Sequence, residues 1–117
     1  MSKFIFLFLL SFNCLADENW TRADSYREAV YLTLHAIDWN QTLQIKDHSN
    51  LQESNPQLGA HPSAQRINQY MAESALLQFG IAYVLPEKYR APFQYITVGD
   101  SLHSVSINWS LGLRVKF

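Results

Sequence analysis

The first long segment of the chain has mainly apolar residues at helical spacing. Residues 29–45 contain no Gly or Pro. The residues that recur there three and four positions apart are Val30, Leu34, Ile37 and Gln41. This spacing forms one face of an α-helix. Ser25 and Glu28 precede it in the S-x-x-E order of a capping box, in which each side chain binds a backbone amide. The pattern predicts a first helix over about 25–46, after a frayed polar lead at 17–24.

A second segment repeats the helical pattern. Its stripe consists of Ile67, Tyr70, Met71, Ser74, Leu77, Ile81 and Val84. His61-Pro62-Ser63 supplies a helix start, and Pro86 stops the helix because it lacks an amide donor. We therefore predict a second helix over about 63–85. The uncharged residues 74–85 have the length of a core segment or of a half-buried membrane segment, not of a full span.

The polar stretch between these helices is predicted to be a loop. Residues 46–62 are rich in His, Asn, Gln, Ser, Gly and Pro, with turn formers at Asn55-Pro56 and Gly59. Most connections are shorter than about 12 residues, so the loop is a candidate binding or lid element. A plain surface crossover is the alternative. His48 and His61 stand near its two ends.

The last third of the chain supports two interpretations. A helical stripe is formed by Tyr95, Val98, Leu102, Val105 and Trp109. From Ser104 onward, however, apolar residues occupy every second position to Phe117, which is typical of a strand. We favour a helix up to about Ser104 and keep the strand as the alternative for the segment 93–117.

The extreme C-terminus adds weight to the strand alternative. Ser110, Gly112, Val115 and Phe117 together resemble the C-terminal signal of bacterial outer-membrane barrel proteins. That resemblance implies a final strand with lipid-facing alternate residues and an aromatic end. The helical pattern earlier in the chain leaves too few residues for a barrel, so such a strand would pair with another copy, another protein or a short partner segment.

The N-terminus has the three-part plan of a secretory signal peptide. Lys3 is followed by an apolar run at 4–10 and a stretch of mainly small residues at 11–16. Cleavage after Ala16 would leave 17–117 as a single small domain. Lipidation at Cys14 is the alternative. The expected fold class is mainly α: a small antiparallel bundle of two or three helices after the signal peptide.

Charge and cysteine content narrow the classes of function. The full chain has 9 Lys and Arg, 10 Asp and Glu, and a single Cys. Removal of residues 1–16 takes away Lys3 and Cys14, so the mature domain is more acidic and free of cysteine. Nucleic acid is excluded as a partner because phosphate contacts need clustered cations. The absence of disulfides from so small an exported domain favours a bacterial or phage origin.

Several short motifs resemble a known group of proteins. They are Asp38-Trp39 with Gln41-Thr42, then Asn55-Pro56, Leu58-Gly59, His61-Pro62-Ser63, and Leu85-Pro86 with Arg90. The pattern is similar to that of short uncharacterised exported or membrane-associated proteins of proteobacteria and their phages. The resemblance implies a bacterial membrane or periplasmic setting, and it implies no activity, since the group has none assigned.

Two His and Asp pairs are the candidates for chemistry. His35 and Asp38 lie three apart on the first helix, and Asp100 and His103 repeat the pairing in reverse order. If the two helices face each other, these side chains form a candidate site for a divalent metal. The alternative is that they are buried, hydrogen-bonded pairs that fix helix register. No catalytic residue or cofactor is assigned, because His35 and Asp38 lack a partner nucleophile in a recognisable motif.

Four aromatic residues are candidates for interaction. Trp39, Tyr95 and Trp109 have amphipathic rings of the type enriched at bilayer interfaces, and Phe117 ends the chain. The sequence therefore predicts a non-enzymatic exported protein with a structural or interaction role. Its partner would be a bacterial membrane, an envelope protein or a second copy. The alternative is a soluble periplasmic metal-binding protein or hydrolase that uses the two His and Asp pairs.

Overall fold

The protein forms a small helix bundle. The computed structural model describes residues 20–47, 58–59 and 61–116. The predicted signal peptide, most of the polar loop with His48, and Phe117 lie outside these residues. The elements are α1 (Arg22–Leu43), a 3₁₀ turn (Gln44–Asp47), α2 (Ala64–Val84) and α3 (Glu87–Ser110). The described part contains no strand, so the prediction of a mainly α bundle is confirmed.

Helix α1 packs mainly on α3 and less extensively on α2. Its first turn meets the first turns of α3, because Asp24 binds Arg90. Its middle meets α2, because His35 binds the carbonyl of Met71. Thus α1 and α3 run parallel, and α2 runs antiparallel to both.

The start of α1 differs from the prediction. Thr21 is the N-cap: its hydroxyl accepts from the Asp24 amide at 3.1 Å, and the Asp24 carboxylate accepts from the Thr21 amide at 2.8 Å. The capping box predicted at Ser25 and Glu28 is therefore wrong, and residues 22–24 are helical, not frayed. The tertiary structure selects the earlier box because Asp24 also pairs with Arg90 from α3.

The second helix agrees closely with the prediction. The hydroxyl of Ser63 caps α2 by accepting from the Arg66 amide at 3.1 Å. Leu85 has an extended backbone, and Pro86 is the N-cap of α3. Pro86 thus ends one helix and begins the next, which makes the α2–α3 connection very short.

The last helix extends further than predicted. It continues past Ser104 to Ser110, so the strand alternative is wrong for the described part of this segment. Gly112, with φ of 92°, ends the helix: its amide binds the carbonyl of Trp109 at 3.0 Å, and the Leu113 amide binds that of Asn108 at 3.0 Å. This pair of bonds is a Schellman motif. Leu113, the residue after Gly112, is fully buried.

The interior of the bundle is unusually polar. Buried apolar residues are Tyr31, Ile45, Leu58, Ile67, Met71, Ala82 and Leu113. Buried polar residues are Asp24, Glu28, His35, Gln41, Thr42, Gln44, Gln78, Arg90, Gln94 and Ser101. The apolar stripe predicted to be the core face of α1 is partly outside, since Val30 is 49% exposed. The polar face of α1 is buried instead because its side chains find partners on α2 and α3.

Candidate functional site

A cleft of about 630 Å³ opens between the three helices. All three helices contribute to its walls, and Leu58 adds to the wall from the connection before α2. Its lining includes all four residues of the predicted chemical site, His35, Asp38, Asp100 and His103. These residues come from α1 and α3, so both predicted pairs line the same cleft.

The four residues share the cleft without forming a metal centre. His35 is buried, Asp38 is half-buried, and Asp100 and His103 are exposed. Among the residues that the structure describes, no three His, Cys, Asp or Glu side chains are grouped closely enough to hold a metal ion. In the described geometry the site is a polar cleft and not a ligand cage.

His35 links α1 to α2. Its Nε2 lies 2.8 Å from the Met71 carbonyl, which can only accept, so Nε2 carries the proton. Its Nδ1 lies 3.5 Å from the hydroxyl of Tyr31, whose ring stacks on the imidazole. His35 therefore binds Tyr31 and Met71 and not Asp38, the partner that the sequence suggested.

Asp38 links α1 to α3. Its Oδ1 accepts from the Asn108 side-chain amide at 2.9 Å and from the Thr42 hydroxyl at 3.3 Å. The same amide of Asn108 donates to Gln41 at 3.2 Å. Asn108 was not among the predicted site residues; its signal in the sequence was its place one turn beyond Ser104, on a segment that had two interpretations.

The pKa of Tyr31 reflects both its burial and the negative charge of the carboxylates near the cleft. Burial, together with the nearby carboxylates of Glu28, Asp100 and Asp38, raises the pKa of its hydroxyl to about 12. A phenolate is disfavoured there because it would be both desolvated and close to other anions. Tyr31 therefore acts at neutral pH as a hydroxyl donor or acceptor.

Glu28 is buried beside the cleft, away from the capping role that the sequence predicted. Burial raises the pKa of its carboxyl, and hydrogen bonding by Gln94 and Gln78 only partly opposes the shift. Gln94 donates to its Oε1 at 3.2 Å, whereas Oε2 has no partner of normal hydrogen-bond geometry among the described residues. Gln78 donates in turn to the Thr97 hydroxyl at 3.0 Å. These groups tie α1, α2 and α3 together.

A buried ion pair holds the end of the bundle where α1 and α3 begin. The Nη1 of Arg90 lies 2.8 Å from Asp24, and its Nε and Nη2 donate to the carbonyls of Ala82 and Leu85 at 2.8 and 3.0 Å. Burial pushes the pKa of Asp24 upward, but hydrogen bonds from the Thr21 amide and hydroxyl and from Arg90, together with the Arg90 charge, outweigh it and lower the pKa. Arg90 thus also satisfies the last carbonyls of α2.

The predicted interaction residues have different surroundings. Trp39 is half-buried and donates from Nε1 to Asn68 at 2.7 Å. Tyr95 and Trp109 are largely exposed, and the guanidinium groups of Arg27 and Arg114 lie 5.5 and 4.1 Å from their ring centroids. Phe117 lies outside the described residues.

Fold and site together define a small three-helix bundle with a polar interior and an acidic, aromatic cleft. Comparison with protein-family models, curated proteins and solved structures found no match to this chain. No helix in the described ranges combines the length and apolar character needed to cross a membrane.

Proposed function

We propose that this chain is a small exported protein of the bacterial or phage-encoded envelope, with a structural or interaction role and no enzymatic activity. One observation carries the proposal: large apolar side chains are exposed on all three helices while more than half of the described buried residues are polar or charged. The most exposed examples outside the cleft are Leu76 at 73%, Ile96 at 70%, Tyr26 at 66% and Tyr95 at 63%.

The distribution of polarity supports an apolar surrounding or partner. A domain of this size has little apolar area to spare, because burial of that area is the main force that stabilises a fold. Extensive exposed apolar surface is typical of membrane or protein interaction sites. The exposed Tyr95 and Trp109 are compatible with a bilayer interface, where amphipathic rings are enriched.

The export step is tested by the mass of the product made in a bacterial host. Under the proposal the signal peptide is removed after Ala16, so the recovered chain begins at Asp17. A product that keeps residues 1–16 and stays in the cytosol would contradict export. A lipid-modified Cys14 would replace the simple cleavage with the lipoprotein alternative and keep the envelope setting.

The interaction step is tested with the recovered chain in a vesicle flotation assay, alongside sedimentation with and without detergent. We expect flotation with vesicles or self-association that detergent reverses. The double variant Leu76→Gln, Ile96→Gln removes two of the most exposed apolar groups and should reduce both. Ser106→Gln is the matched control, because it adds glutamine at an exposed position of α3 without removing apolar surface. A compact monomer that ignores vesicles and detergent would contradict the proposal.

A second candidate function draws on the cleft. His35, Asp38, Asp100 and His103 all line it, and this shared location is the observation that supports a soluble periplasmic metal-binding protein or hydrolase as the alternative. Elemental analysis of the purified chain, followed by His35→Ala, separates the two. A bound metal lost in that variant would support the second candidate, and a metal-free chain in which only stability falls would remove it.

A further inference from the structure

The cleft between the three helices contains carboxylates without a lysine or arginine counterpart among its described lining residues. Asp38 and Asp100 both line it, and its described lining includes no Lys or Arg. Asp100 forms no hydrogen bond or ion pair with any residue in the described part of the chain. The charge of this exposed carboxylate is therefore available to a cation from solution.

Aromatic side chains accompany the carboxylates. Tyr31, Tyr70 and Phe93 line the same cleft. The face of an aromatic ring attracts cations through its quadrupole, most strongly when water is excluded, and such rings recognise quaternary ammonium groups. Carboxylates and ring faces in one cleft therefore select a positively charged organic group over a neutral or anionic one.

The size of the cleft also suits a small organic molecule. Its volume of about 630 Å³ lies within the usual range for small-molecule sites, roughly 300–1,000 Å³. At its wall Gln78 is almost fully buried, and its Oε1 has no hydrogen-bond partner among the described residues. An acceptor without a partner is costly when buried, so a donor on an entering ligand would relieve it.

A divalent metal fits this arrangement less well. The described residues contain no group of three metal-ligating side chains. The two lining carboxylates, Asp38 and Asp100, lie on different helices. An organic ion can contact dispersed groups at once, whereas a metal ion needs its ligands within about 2–2.6 Å.

We propose that this cleft is a binding site for a small organic ammonium ion. The carboxylates of Asp38 and Asp100 attract the charge, and the aromatic rings receive its alkyl groups. The raised pKa of Tyr31 supports the same negative potential, since Asp38 and Asp100 both contribute to it.

The test uses choline as the probe and isothermal titration calorimetry of the chain recovered from a bacterial host. The control ligand is the neutral isostere of choline, in which carbon replaces the quaternary nitrogen. We expect choline to bind, the isostere to bind at least about fivefold more weakly, and the binding of choline to weaken as salt is raised. Equal binding of both compounds, or no binding of choline, would overturn the proposal.

Two pairs of variants locate the binding. Asp100→Asn removes an exposed cleft carboxylate and should weaken choline binding by about threefold to fivefold. Its control is Glu73→Gln, an exposed carboxylate on α2 outside the cleft, which should leave binding unchanged. Phe93→Leu removes an aromatic ring of α3 from the cleft and should weaken binding by a similar factor. Its control is Phe79→Leu, which removes a ring of α2 outside the cleft and should leave binding unchanged.

Circular dichroism of each variant shows whether the helices are kept. If Glu73→Gln weakens binding as much as Asp100→Asn, choline responds to overall charge and the cleft is not the site. If Phe79→Leu has the effect and Phe93→Leu has none, the site is also elsewhere. Either result would overturn the proposal.

Discussion

At the scale of single residues, the most informative groups are the buried charges. Asp24 and Glu28 lie one turn apart on α1, and both are almost fully buried. Burial raises both pKa values, but Asp24 gains an arginine partner and amide donors that reverse the shift, while Glu28 gains only amides. The two carboxyls therefore have opposite effects on the pH dependence of stability.

The Glu28→Gln variant tests the raised pKa. Protonated Glu28 stabilises the fold fully below its ordinary pKa near 4.5, and this contribution is lost as pH rises through the higher folded value. We expect Glu28→Gln to raise the free energy of unfolding at neutral pH, by on the order of 1 kcal/mol, and to have little effect in acid. Urea denaturation at both pH values measures this. The exposed Glu73→Gln should show no such difference, and a loss of stability at neutral pH would contradict the expectation.

Asp24 should act in the opposite sense. Its stabilising contribution is present above its ordinary pKa of 3.8 and is lost as pH falls through the lower folded value.

Arg90→Ala tests the ion pair and the carbonyl bonds together. It leaves the Asp24 carboxylate buried without its α3 partner, so we expect a loss of about 3–5 kcal/mol in the free energy of unfolding, or failure to fold. Lys88→Ala, at an exposed position of the same helix, should change stability by less than about 0.5 kcal/mol. If the two variants are equally stable, the Arg90 network does not hold the bundle together.

At the scale of elements, helix ends decide where the bundle closes. The α1 start has two overlapping capping patterns, at Thr21 and at Ser25, and local sequence alone does not rank them. At the other end, the side-chain amide of Gln41 donates to the Leu113 carbonyl at 3.1 Å. The backbone amide of Lys116 donates to the side-chain oxygen of Asn40 at 2.8 Å. The tail after α3 is thereby held by the end of α1.

Two alanine variants distinguish the capping patterns. Thr21→Ala removes the hydroxyl that accepts from the Asp24 amide, so we expect a loss of about 1 kcal/mol in the free energy of unfolding. Ser25→Ala removes an exposed hydroxyl that accepts from the Trp20 indole at 2.8 Å, and its effect should be clearly smaller. Thermal and urea unfolding compare the two. The reverse order would restore the capping box first predicted at Ser25.

Two glycines of the last segment provide a further matched pair. Gly112 has a φ of 92°, so Gly112→Ala should cost about 1 kcal/mol by straining the helix terminus. Gly99 lies inside α3 and has open space where a Cβ would stand, so Gly99→Ala should stabilise the protein by up to about 1 kcal/mol. Effects of the same sign in urea denaturation would contradict the helix end placed at Ser110.

At the scale of the whole molecule, the helices contact each other largely through buried polar side chains, and many of their large apolar side chains are exposed. The side chains that cross between helices are mainly amides and charges, such as Gln78, Arg90 and Gln94. These contacts give directional bonds between helices, while many large apolar side chains of the same helices stay exposed. The envelope role proposed here and the ammonium site belong to different parts of this arrangement, the outer surface and the cleft.

Much of the fold was present in the sequence. Helical spacing, Ser63 and Pro86 placed α2 to within a residue at each end, since caps and proline act on their own backbone neighbours. The pairs His35 with Asp38 and Asp100 with His103 line one cleft because their helices face each other, although His35 binds Tyr31 and Met71. These features depend on local geometry, which the order of residues determines.

The tertiary structure alone decided which faces are buried and which partners the polar groups take. Val30 belongs to an apolar stripe, yet it is exposed, while Glu28 is inside because Gln94 from a helix more than sixty positions away reaches it. After Ser104 apolar residues occupy every second position, yet the chain is helical as far as Ser110. The Schellman motif ends this helix, and contacts with α1 hold the tail that follows. Such outcomes depend on contacts between distant segments, and hydrophobic periodicity within one segment carries no information about them.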